Sequence, residues 1–66
     1  METFTAIIKR DEDMYVAECP EVGTVSQGKD IDDAIDNLKE ATELYLEEFP
    51  LKSKSKPLMT TFEVAS

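Results

Sequence analysis

The sequence has no histidine, no tryptophan, a single cysteine and only seven basic residues among its 66. Without histidine, imidazole acid–base chemistry and histidine-dependent triads are excluded. Without a second thiol as well, the usual zinc ligand sets and an intramolecular disulfide are excluded too. Seven cations against fifteen acids leave a net charge of −8. That balance argues against nucleic acid or an anionic membrane as partner, because both require a cationic surface. No apolar run approaches the roughly 18 residues of a transmembrane helix. The start Met1-Glu2-Thr3-Phe4 lacks the positive charge and apolar stretch of a signal peptide, so a cytoplasmic location is expected.

What is present is enough for a fold. Hydrophobic residues make up 41% of the chain, above the range of compositional disorder. The length suits one domain covering residues 1–66. So small a domain removes only about 60% of its unfolded surface from water, and self-association is therefore expected.

Glu2 to Arg10 is rich in Thr, Phe and Ile and suits a strand, with Phe4, Ala6 and Ile8 on one face. Asp11-Glu12-Asp13 reads as a hairpin turn, and Met14 to Cys19 as a second strand. Pro20-Glu21-Val22-Gly23 is a further turn, followed by a short strand over Thr24 to Gln27 that Gly28 closes. Asp30 is a suitable N-cap for a helix whose first turn carries Asp32 and Asp33. Ile31, Ala34, Ile35, Leu38, Ala41, Thr42, Tyr45 and Phe49 recur in steps of three and four, which predicts one broad apolar face. The helix is expected to stop near Glu48 or Phe49, ahead of Pro50. After the polar connector Lys52 to Lys56, alternation resumes over Leu58 to Ala65 and predicts a fourth strand. The expected fold class is α+β in the order β-β-β-α-β: a three-stranded antiparallel meander, a fourth strand parallel to the first, and one helix packed on one face.

Tyr15-Val16-Ala17-Glu18-Cys19-Pro20-Glu21-Val22, then Gly23, Ser26-Gln27-Gly28, an acidic helix cap and Asn37-Leu38-Lys39-Glu40-Ala41 leading to Leu44-Tyr45-Leu46-Glu47 together resemble the HicB antitoxins. The resemblance runs from about Phe4 to Phe49. It implies a partial RNase H-like fold and a function in binding and silencing a HicA-like toxin, a small basic ribonuclease. Many HicB relatives carry a further DNA-binding domain. This sequence ends at Ser66, so direct DNA binding by this chain alone is not expected.

The chemistry-bearing residues have competing readings. Two-metal nuclease chemistry requires several converging carboxylates, whereas the first strand is centred on Thr5-Ala6-Ile7-Ile8 and Glu63 is the only candidate remnant. Catalysis, a cofactor and a metal site are not expected. Asp11, Glu12 and Asp13 read as a solvated turn rather than a calcium loop, and Cys19 as a packing residue rather than a reactive thiol. The polar helix face is either plain solvated surface or a surface that steers a basic partner. On the second reading, the candidate toxin-binding residues are Tyr15, Glu18, Asp36, Glu40, Glu43 and Glu47. Leu44, Leu46, Phe49 and Leu51 form a candidate interface for a homodimer or higher homo-oligomer. The alternative function is a solitary HicB-like interaction module without a toxin.

Overall fold

The computed structural model of the chain describes residues 2–50 and 58–65. Three strands form where β-branched and aromatic residues alternate: β1 (Ile7–Asp11), β2 (Met14–Cys19) and β3 (Thr24–Gly28). They pair antiparallel in the order β1-β2-β3, as the sequence predicts. The register aligns Ile8 with Ala17 and Ser26, and Arg10 with Tyr15 and Gly28. The first reversal passes through Glu12 at φ 56°, a left-handed residue in a tight hairpin. The second uses Gly23 at φ 93°, where glycine carries no Cβ penalty.

Helix α1 (Ile31–Glu48) follows at once and ends at Phe49, just before Pro50, as expected. The Asp30 side chain accepts the Asp33 N–H at 2.7 Å, and the Asp33 carboxylate accepts the Lys29 N–H at 3.1 Å. Two otherwise unpaired donors at the helix start are thereby satisfied.

The helix is fastened to β3 at three levels. At Gly28 the backbones approach so closely that a Cβ there would overlap the Ala34 backbone. Further along, Asn37 Nδ2 donates to the Gln27 carbonyl at 2.9 Å. Near the far end, the hydroxyls of Thr24 and Thr42 meet at 2.7 Å. The buried apolar core between the layers consists of Ala17, Cys19, Ala34 and Leu38, with Phe4, Ile8, Tyr15 and Val22 packed around it. Small side chains are what permit this close seating. They also leave little buried volume, in keeping with the marginal stability expected of the length.

Two expectations are corrected, and a third, the fourth strand, is not shown. The first strand begins at Ile7 rather than near Glu2, because the Thr5 N–H is bonded to the Glu21 carboxylate instead of a neighbouring strand. The apolar helix stripe is only half covered: Ala34, Leu38 and Thr42 are buried, while Ile31, Ile35, Tyr45 and Phe49 remain substantially exposed. A helix fixed over β3 cannot cover the full width of its own stripe. Finally, residues 58–65 form no strand. Strands need a ladder partner, and Leu58 to Ala65 find none among the described residues, whose element order is β-β-β-α.

Candidate functional site

Seating the helix over β3 and β2 leaves the inner face on the β1 side open. Phe4, Ala6 and Cys19 form one wall of the resulting groove, and Ile35, Leu38 and Leu46 the other, around a cavity of about 730 Å³. The lining is mostly apolar, with Glu2, Lys39 and Glu43 as charged members.

The segment before β1 is held in place by Glu21. Its two carboxylate oxygens accept the Thr5 N–H at 3.0 Å each, and the Thr5 hydroxyl donates at 2.8 Å. The Cys19 thiol contributes a longer contact of 3.5 Å. Partial desolvation works to raise the Glu21 carboxyl, but the backbone and hydroxyl donors of Thr5, with Glu21's own N–H and the thiol, outweigh it and lower it to about 2. Burial, together with the adjacent carboxylate, pushes the Cys19 thiol up. Cys19 is 1% exposed, which fits the packing role read from the sequence. Neither the groove nor the Glu21 clamp was predicted. The clamp joins residues 16 apart, a contact to which local periodicity is blind.

The second feature is an acidic ridge. Asp36, Glu40, Glu43 and Glu47 are all exposed, and at about 100° per residue they share the helix side directed away from the sheet. Asp32 extends the ridge at its N-terminal end. Of the candidate toxin-binding residues, these four are brought together. The other two are not. Tyr15 is half-buried on the inner face of β2, packed on the core beside the helix start and lining a shallow depression with Asp30, Ile31 and Asp32. Glu18, one step out of phase, is exposed on the opposite face of the sheet, a full sheet thickness from the ridge. A period of two separates them whatever the tertiary structure.

The candidate oligomer interface is also divided. Leu46 lines the groove. Leu44 is 58% exposed and lies roughly 160° around the helix from Leu46. Phe49 stacks on Tyr45 with ring centroids 5.0 Å apart, while Leu51 lies outside the described residues. Glu63 is exposed in the segment after the helix, and among the described residues no three acidic, cysteine or histidine side chains are grouped to hold a metal ion. No helix among them is long and apolar enough to cross a membrane.

No family model matches the sequence, and no solved structure matches the fold. Curated relatives do match. A UPF0150 protein of Helicobacter pylori strain J99 is 41% identical over 66 residues, spanning 91% of this chain and 92% of the relative. A UPF0150 protein of Synechocystis sp. strain PCC 6803 is 43% identical over 56 residues, spanning 82% of this chain and 81% of its own. At that identity over nearly the whole of both proteins, the chain belongs to the UPF0150 family.

Proposed function

We propose that the chain is a HicB-like antitoxin domain that binds and neutralises a HicA-like basic ribonuclease as one half of a type II toxin–antitoxin pair. The observation that carries this reading is the acidic ridge of Asp36, Glu40, Glu43 and Glu47, exposed along one side of α1. A row of carboxylates offers a basic RNA-binding protein the charge pattern of a phosphate backbone, raising the encounter rate and occupying the surface that RNA would use. The HicB-like motif run from Tyr15 to Glu47 adds the family context. Inhibition on this reading is stoichiometric occlusion, without chemistry by this chain. The fourth strand and the partial RNase H-like architecture belong to the same proposal, with Leu58 to Ala65 adding beside the free edge of β1.

The test is direct. Mixed with the small basic ribonuclease encoded beside it, the protein should form a complex and abolish RNA cleavage at equimolar ratio. Association should slow at least about tenfold between low and high salt. The triple variant Glu40→Lys, Glu43→Lys, Glu47→Lys should show the same slowing at low salt. Inhibition that ignores both salt and the triple variant would dismiss the ridge, and absence of any complex would dismiss the antitoxin reading. The large apolar side chains left exposed along the helix and after it favour the second reading, a homo-oligomeric interaction module with no toxin. A protein that self-associates but binds no neighbouring ribonuclease would support that alternative.

A further inference from the structure

A three-stranded sheet has two outer edges, and the two are built differently here. The two-residue turn Glu12-Asp13 makes Asp11 and Met14 the closing, hydrogen-bonded pair of the first hairpin. Bonded pairs alternate along an antiparallel ladder, so Val16 and Glu18 turn their backbone groups to β1, while Ala17 and Cys19 turn theirs to β3. Val25 and Gln27, the partners of Glu18 and Val16, therefore direct their N–H and C=O groups outward. Such an edge is a template for a further strand, and proteins commonly blunt it with charge, proline or a bulge. β1 carries Lys9, Arg10 and Asp11. β3 is Thr24-Val25-Ser26-Gln27-Gly28, with no charge and no proline, and its register to β2 runs without a bulge.

We propose that Asn37 is the guard of this edge, a helix side chain that closes β3 to strand addition. Three observations carry the assignment. First, Asn37 Nδ2 donates to the Gln27 carbonyl at 2.9 Å. That carbonyl is one of the outward groups, so the Asn37 side chain stands in the path an added strand would take. Secondly, Asn37 is exposed, and the helix is already fixed on either side of it by the Gly28–Ala34 approach and the Thr24–Thr42 pair. The core does not require this contact. Thirdly, the Gly23 N–H is committed to the Cys19 carbonyl in the preceding turn. With the Gln27 carbonyl also taken, Val25 is the one outward residue of β3 that keeps both donor and acceptor for a new partner, too short a run for a ladder of the usual three residues or more. Strand addition is thereby left to β1, where the fourth-strand reading puts Leu58 to Ala65; the guard itself does not depend on that reading.

Residue-resolved amide hydrogen exchange on the full chain, at a low and a high protein concentration, tests the guard without any toxin. In the wild type the Val25 and Gln27 amides should exchange fast at both concentrations. Asn37→Ala should fold, alanine being the best helix former at an exposed site, and its opened edge should pair with β3 of a second copy. The same two amides should then exchange at least about tenfold more slowly at the higher concentration. Asn37→Lys, which keeps a donor able to reach Gln27 and adds a charge, should behave as wild type. So should Asn37→Ala combined with Val25→Lys, because like charges on facing strands repel. Val25 and Gln27 amides already protected in the wild type would overturn the proposal, as would protection that persists in either lysine variant. An Asn37→Ala chain whose exchange ignores concentration, or merely quickens along α1, would reduce Asn37 to a helix anchor and overturn it too.

Discussion

Gly28 and Glu21 account for much of the geometry around the groove. Gly28 lets the end of β3 touch the first turn of α1, and any side chain there meets the Ala34 backbone, which cannot step aside without moving the helix. Gly28→Ala should therefore lower stability by about 1–3 kcal/mol, read as a drop in the urea midpoint. The clamp at Glu21 predicts a pH dependence whose sign follows from its carboxyl, held at about 2 against an ordinary 4.5. A lowered folded-state value stabilises the fold above the ordinary value, and that contribution is lost as pH falls from about 4.5 towards 2. Thermal melts of wild type and Glu21→Gln should differ at neutral pH and converge as pH approaches 2, with wild type the more stable while ionised. Parallel curves across that window would mean that the Thr5 contacts add nothing to stability.

Among the elements, β1 is the least secured. β2 lies between two neighbours and under the helix, and β3 is fastened to the helix at Gly28, Gln27 and Thr24. Among the described residues β1 pairs on one side only, and the helix leaves its inner face open. Native-state hydrogen exchange should consequently find the β1 amides opening before those of β2, at lower free energy than global unfolding. Equal protection in the two strands would mean that the sheet opens as one unit. The sequence made most of these elements legible because their signals are local. Alternation marked β2, and the Asp30 cap and the proline after Phe49 bounded the helix to within a residue. The tail marks the limit of such local signals. Alternation from Leu58 to Val64 records that these residues can form a strand, but not which edge receives it.

For the molecule as a whole, the net charge of −8 is unevenly spread, and four of its exposed carboxylates line one side of α1. That concentration was readable from helical spacing alone, because residues three and four apart share a side in any helix. The membership of the site was less readable. Tyr15 and Glu18 belong to opposite faces of β2, and Leu44 and Leu46 to different sides of α1, so proximity in sequence did not translate into one surface. The groove could not be anticipated at all. It follows from where the helix sits across the sheet, which is decided by Gly28, Asn37 and the Thr24–Thr42 hydroxyl pair.

The positions of the two tyrosines have a practical consequence. With no tryptophan in the chain, tyrosine dominates its intrinsic fluorescence, and the two rings stand at opposite ends of the helix. Tyr15 lies beside the helix start, against the core. Tyr45 stacks on Phe49 near the end of the helix. The protein thus carries two built-in optical reporters: Tyr15→Phe leaves an emission that follows events near the helix end, and Tyr45→Phe one that follows the core.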